Sequence, residues 1–290
     1  MSCQFRYFRL ATTITLLGLL TVTTGFRKVA YKSGPEIMEE VANRHTADTE
    51  LELIKLVVVD EEGNTQVREM LSVFSQDDHG DASYMIRFLS PADVKGITLL
   101  TNDAKSEEPE QWFYMPALGQ ARKIAGDNRG GYFMGSDFTF EDLRKENTQE
   151  HSYHRLQDDK VNGKDVYVVM AAPANVDVQS ATGYANRLLY VDKGTFNVLR
   201  VEFYEEDSKE PLKILEADEY EEVEVDVDAD RPQRIRMKNK ETGTYSVMTL
   251  MKSRLNVPVD ETVFDPDTLA KWTPDSDEPL LAYFDKDSSK

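Results

Sequence analysis

The chain has 290 residues, with 34 Lys and Arg against 53 Asp and Glu and a formal net charge of −19. A surface of that sign is repelled by phosphate backbones and anionic bilayers, which excludes nucleic acid as a partner class. The length suits one large β domain, since single β sandwiches and barrels run to roughly 200–250 residues, and the one cysteine, Cys3, leaves no disulfide framework to stand in for a packed core.

Residues 1–25 read as a signal peptide: Arg6 and Arg9 precede an apolar run from Leu10 to Val22, closed by small residues at Gly25. That run is shorter than the about 20 apolar residues of a membrane span. Cleavage is expected at Gly25 or Ala30, with an uncleaved anchor backed by Arg27 and Lys28 as the alternative. Cys3 lies before the apolar run, whereas a lipid-modified cysteine would close it, so a lipoprotein anchor is not expected. Removal of the segment takes two arginines and no acids, so the charge goes from −19 to −21. A secreted, cysteine-free chain fits a bacterial periplasm.

Pro35 to Arg44 has Ile37, Met38 and Val41 at helical spacing behind Ser33-Gly34-Pro35, with glutamates in the first turns where the helix dipole favours them. The period then changes to two. Leu51 and Leu53 alternate with Glu50 and Glu52 in a strand from Thr49 to Val59, and the turn at Asp60–Asn64 returns the chain as Thr65–Phe74. Tyr84–Leu89 and Ile97–Thr101 are strands around a turn opened by Pro91 and closed by Gly96; Asn102–Glu110 is a loop.

Gln111 to Leu143 holds the most unusual residues: an aromatic alternation of Trp112 and Tyr114, a short basic strand with Arg122 and Lys123, a glycine-rich turn, and Phe133-Met134-Gly135-Ser136-Asp137-Phe138. A short helix is expected over Thr139–Lys145, capped by Ser136 or Asp137. Seven further strands follow between Glu150 and Leu255, several joined by hairpin signals such as Asn162-Gly163. The fold class is therefore mainly β, an antiparallel meander whose half-buried sheet must curl around something or be covered by its few helices. Residues 35–272 form this domain, ending in a turn at Pro266–Lys271. Residues 273–290 read as an acidic, poorly ordered tail in which Leu280, Leu281, Tyr283 and Phe284 could instead dock as a short strand.

No reaction centre is visible. His151 and His154 fall on opposite faces of a strand and cannot share a metal, and all four histidines are expected to face solvent. There is no nucleophile elbow and no phosphate-binding glycine pattern. The run Asp226–Asp230 carries Arg231 where a calcium loop needs glycine. Neither a metal nor a cofactor is expected. Of the acids, Asp137 and Asp142 stand out for their apolar surroundings, with Asp142 expected to face solvent or an arginine. The aromatics Phe74, Tyr84, Phe88, Trp112, Tyr114, Phe133, Phe138 and Phe140 either fill a core or line an apolar cavity.

Arg87 to Gly96, Gln111 to Gly119, Arg122-Lys123-Ile124 and Phe133 to Leu143 together resemble the signature of the outer-membrane lipoprotein-sorting family, the LolA-like periplasmic proteins. Met115 and Lys123 are mild departures, and weaker similarity covers Pro35 to Lys271. The resemblance implies a strongly curved antiparallel sheet of the LolA/LolB type, an incomplete barrel with helices across its open side, and an apolar cavity for acyl chains. It implies a periplasmic carrier rather than an enzyme, a monomer, binding a lipid or lipoprotein acyl chain and working with an inner-membrane RND/MMPL-type permease. Trp112, Tyr114, Phe133, Phe138 and Phe88 become the expected ligand contacts and Arg122 and Lys123 the expected head-group or partner contacts. Pro91, Gly96, Gly135, Ser136 and Asp137 become the structural motif. A lipid-sensing regulatory module of the same fold is the alternative, and a hydrolase dependent on Asp137 a remote one.

Overall fold

The computed structural model describes residues 31–44, 47–77, 79–104, 109–222 and 230–285. The expected signal peptide, His45 and the acidic run 226–229 lie outside them. The first element, α1 (Gly34–Asn43), starts in a capping box in which Ser33 and Glu36 satisfy each other's backbone donors. Its buried face, Ile37 and Met38, is the one the sequence spacing selects.

Six strands then run in order, β1 (Thr49–Val59), β2 (Thr65–Gln76), β3 (Ala82–Ser90), β4 (Thr98–Asp103), β5 (Glu110–Met115) and β6 (Gln120–Ile124). After a long connection come β7 (His151–Arg155), β8 (Asp159–Val161), β9 (Lys164–Pro173), the helix α2 (Val176–Thr182), β10 (Asn186–Asp192), β11 (Val198–Tyr204), β12 (Lys213–Glu222), β13 (Asp230–Asn239) and β14 (Tyr245–Leu255). All pair antiparallel in one 14-stranded sheet, ordered β6-β5-β4-β3-β2-β1-β14-β13-β12-β11-β10-β9-β7, with β8 also on β9. The first and last strands therefore meet at the centre, from Glu50 opposite Leu255 to Val59 opposite Tyr245. The two ends, β6 and β7 with β8, are not paired with each other. This is the expected fold class, a sheet that does not close into a barrel.

Alternation sorts the side chains. On β1, Glu50, Glu52, Ile54 and Leu56 face one side while Leu51 and Leu53 face the other. One apolar cluster joins Leu56, Met70 and Phe88 of the first half to Val169, Leu189, Val201, Phe203 and Met237 of the second, with Ile37, Met38, Phe133 and Phe138 among them. Strands so far apart in a sheet share a core only if the sheet curls, so this is the concave face. A second cluster holds Leu51, Leu71, Val73, Met85, Leu100 and Tyr114 on the convex face.

The convex cluster also contains Phe264, Leu269, Leu280 and Phe284, supplied by the 3-10 turn Glu261–Phe264, α3 (Pro266–Leu269) and α4 (Glu278–Asp285). This corrects the expected tail: residues 273–285 are a docked turn and helix, and only 286–290 lie outside the described residues. The helix was missed because eight residues show too few turns for a clear period, and because its neighbours are acidic. At its start Asp277 forms a buried ion pair with Arg87 and accepts from Trp272 Nε1 at 3.0 Å.

Pro91 and Gly96 open and close the turn between β3 and β4, the Ser90–Pro91 peptide being cis. Gly96 has φ +84, and a Cβ there would lie 2.2 Å from the Trp272 ring. Conformation and space both demand glycine. Gly96→Ala should lower stability by at least about 2 kcal/mol in urea unfolding; an unchanged midpoint would mean that Trp272 does not pack there.

Candidate functional site

Between β6 and β7 the chain crosses the open side of the curved sheet as a strap, residues 125–150. Its centre is a small hairpin: Tyr132 bridges Thr139, Phe133 N–H donates to Phe138 O at 2.7 Å, and Met134 and Gly135 turn the chain at φ 51 and 71. A Cβ on Gly135 would meet nothing within 4 Å, so glycine serves the left-handed backbone there rather than a close contact. Ser136 Oγ donates to Phe133 O at 2.7 Å and closes the turn from inside.

The expected helix is a single 3-10 turn, Glu141–Leu143, and its cap is neither Ser136 nor Asp137. Thr139 N–H donates to Asp142 Oδ2 at 2.8 Å and Asp142 N–H to Thr139 Oγ1 at 3.1 Å, a reciprocal box two or three residues further on. Asp137 instead accepts from the hydroxyls of Thr244, just before β14, and Ser246 on it. Asp142 faces neither solvent nor arginine: it is bonded to Lys213 Nζ of β12 at 2.7 Å and to the Tyr184 hydroxyl at 3.0 Å.

Further along, Arg144 is held by Asp103, Glu141 and Glu150, and Glu146 by Arg187 of β10. Burial raises the Glu146 carboxyl, but the charges of Arg187 and His151 outweigh it and the net shift is down. His151 corrects the expectation that the histidines face solvent: its side chain is 5 % exposed and its Nε2 lies 3.0 Å from Arg187 Nη2. Burial, and then the Arg187 charge, lower its pKa. These polar bonds staple the strap to both halves of the sheet.

Under the strap lies an apolar space in two lobes. One, of about 450 Å³, is lined by Ile54, Phe74, Phe138, Leu215, Met248 and Leu250 among others. The second, of about 270 Å³, lies between Met38 and Val41 of α1 and Leu189, Val201 and Phe203 of the second half. Asp142, Arg144, Lys145, Leu215, Pro232 and Ile235 border both lobes. The larger lobe falls within the roughly 300–1,000 Å³ of ligand pockets.

The aromatic candidates divide. Phe138 is 2 % exposed and lines the larger lobe. Phe88 and Phe133 are fully buried and stack with centroids 5.6 Å apart, plugging the end of the concave face instead of lining it. Trp112 and Tyr114 are on the convex face under α3 and α4, away from the cavity. Their spacing correctly predicts one shared face, but parity alone does not say which; Phe113, between them, is the concave residue and meets Phe140 edge-on at 5.7 Å. Arg122 and Lys123 lie exposed on the edge strand β6, with Lys123 paired to Glu110.

Tyr84, one of the aromatics expected to fill a core or line a cavity, borders the larger lobe, whereas sequence reasoning missed its charged groups Glu50, Glu52 and Arg231. The alternation of Glu50 and Glu52 with Leu51 and Leu53 does not show that both faces of β1 are covered, one by the C-terminal segment and the other by the strap. Arg231 Nε and Nη2 reach Glu50 at 2.6 and 2.8 Å. Burial, followed by the Glu50 charge, pushes the Glu52 carboxyl up to about 8 against the pull of Arg231. The folded state thus holds this proton more tightly than an unfolded chain, whose carboxyl titrates near 4.5. Its stabilising contribution is full below that value and lost as pH rises through about 8. The melting temperature should fall between pH 6 and 9 more steeply for the natural chain than for Glu52→Gln; parallel profiles would refute an uncharged Glu52.

Among the described residues no cluster of three His, Cys, Asp or Glu side chains is placed to hold a metal, and no helix is long and apolar enough to cross a membrane. No curated protein matches the chain. A family model described as "Uncharacterized protein" matches residues 80–271. Among solved structures, an outer membrane lipoprotein-sorting protein domain from Vibrio parahaemolyticus is 26% identical at a TM-score of 0.75, covering 82% of this chain and 98% of that one. A DUF1329 family protein from Desulfovibrio piger (22% identity, TM-score 0.75, 81% and 97% covered) shares the fold. So does a LolA superfamily protein from Nitrosomonas europaea (18%, 0.63, 82% and 99%). The chain thus belongs to the family whose model it matches over residues 80–271, and its open antiparallel sheet is the fold of the lipoprotein-sorting domain and of the LolA superfamily protein.

Proposed function

We propose that this protein is a non-catalytic periplasmic carrier that shields a lipid or lipoprotein acyl chain in the strapped cavity, for sorting to the outer membrane or for lipid export with an inner-membrane RND/MMPL-type permease. The observation that carries the reading is the apolar space between the curved sheet and its strap, of about 450 Å³ in its larger lobe. Each methylene moved from water into such a site contributes roughly 0.8 kcal/mol, so about ten give about 8 kcal/mol, the scale of micromolar binding before ordering costs. Phe138 contacts the chain, while Phe88 and Phe133 set the depth it can reach. Release requires a partner that loosens the strap or offers a better site, and Arg122 and Lys123 on the exposed edge strand serve as head-group or partner contacts. The likeness to the outer membrane lipoprotein-sorting domain of Vibrio parahaemolyticus supports this reading.

Mass spectrometry of a solvent extract from protein purified out of its own cells should reveal acylated molecules. Lipid-stripped protein should also enhance the emission of a pyrene-labelled acyl ester. A lipid-free extract together with no binding would overturn the proposal.

A further inference from the structure

Besides Asp142, Arg144 and Lys145 of the strap, the larger lobe has a polar wall where β1, β3 and β13 bring Glu50, Glu52, Tyr84 and Arg231 to it. Arg231 grips both oxygens of Glu50, and Glu52 lies against the same carboxylate. Tyr84 sits two strands away in the same row, opposite Phe74, which itself pairs with Glu50. Its hydroxyl is buried and has no hydrogen-bond partner among the described residues. A buried donor left without an acceptor costs free energy, and a ligand acceptor would recover it.

The guanidinium groups along the two lobes are already engaged: Arg231 by Glu50, Arg144 by three carboxylates and Arg187 by Glu146. Asp142 is bonded to Lys213, and the Lys145 ammonium lies 5.1 Å from the Phe74 ring centre. The wall thus combines a free hydroxyl donor with a carboxyl pair whose one arginine is occupied. Such a wall suits an uncharged acceptor better than an anion, because a carboxylate drawn from water into it loses its hydration and finds every fork-shaped partner already engaged.

We propose that the cavity selects ester- or amide-linked acyl chains over free fatty acids: Tyr84 donates its hydroxyl proton to the linking carbonyl, and Glu50, by occupying Arg231, leaves a free carboxylate no open guanidinium to pair with. This rests on the carrier reading above and narrows its ligand to molecules whose acyl group is covalently joined to a head group. The hydrocarbon enters the lobe, the linking carbonyl stops beside Tyr84, and the head group remains at the mouth.

The test compares pyrene-labelled dodecanoic acid with its methyl ester on lipid-stripped full-length protein at pH 7. The ester should bind at least about tenfold more tightly. Tyr84→Phe, which keeps the ring and its packing, should weaken the ester about fivefold and leave the acid unchanged. Glu50→Gln, which releases Arg231, should tighten the acid about tenfold. Equal binding of the two probes by the natural chain, or an unchanged ester affinity in Tyr84→Phe, overturns the selectivity and leaves the carrier reading standing. Binding of neither probe overturns both.

Discussion

Asp142→Ala should destabilise the protein by about 3–5 kcal/mol, the cost of removing one partner from a buried ion pair. The side chains of Asp142 and Lys213 are 3% and 1% exposed, and Asp142 holds together the 3-10 turn of the strap, Tyr184 and β12. Its loss leaves the Lys213 ammonium with the Asp137 carbonyl at 3.0 Å and the rings of Tyr132, Tyr184 and Phe203 around it. Those ring contacts soften the penalty without supplying a counter-charge. Lys213→Met alone should cost a similar amount, because a buried carboxylate is then unpaired. The double variant Asp142→Leu with Lys213→Met should recover most of the loss, since apolar replacements of a whole buried pair are often neutral or better. Urea unfolding measures all three. Native-state hydrogen exchange on Asp142→Ala should show faster exchange over residues 133–146 than over β1 and β14. Uniform protection would mean that the pair does not fasten the strap.

Asp277→Ala should have a comparable effect on the opposite face, again about 3–5 kcal/mol. Arg87 is 5% exposed on the inward side of the C-terminal segment, where it donates to Thr98 Oγ1 at 2.9 Å and lies 5.3 Å from the Trp272 ring centre as well as pairing with Asp277. Without the carboxylate the guanidinium is buried and uncompensated, and undocking residues 273–285 becomes the way to hydrate it. That movement would uncover the convex apolar cluster around Tyr114 and Trp112. Both tryptophans of the chain, Trp112 and Trp272, belong to this region, so their emission should shift to the red in Asp277→Ala while acyl binding on the concave face persists. A variant with native emission and full stability would show that the ion pair does not hold the segment.

The sheet was legible because period-two alternation and turn chemistry are local properties. Val198–Tyr204 and Tyr245–Leu255 occupy the stretches read from sequence, and the helix behind Ser33 begins with the cap its residues specify. Two small elements escaped: β8, which has only three residues, and α2, whose Asn175 cap and Gly183 stop enclose a short and half-exposed helix. The motif Phe133–Leu143 was recognisable as the distinctive segment, but the work of its acids was misassigned. A carboxylate near a helix start is a local inference, whereas the actual partners of Asp137 and Asp142, Ser246 and Lys213, are more than 70 residues away.

Sequence by itself determined the strands, their turns and the short ordered motifs that carry the family resemblance, because each depends on neighbours along the chain; the plugging of the concave face by Phe88 and Phe133, expected there as ligand contacts, was not among them. Which face of the sheet became the cavity was decided only in three dimensions. The pleat places Trp112 and Tyr114 together, but it is the docking of Leu280 and Phe284 that makes their side the covered one. It is the strap between the two unpaired edges that leaves the other side hollow. The strap over that hollow side takes Glu52 out of water, and its altered proton affinity follows from burial beside Glu50, a circumstance that no residue type or spacing encodes.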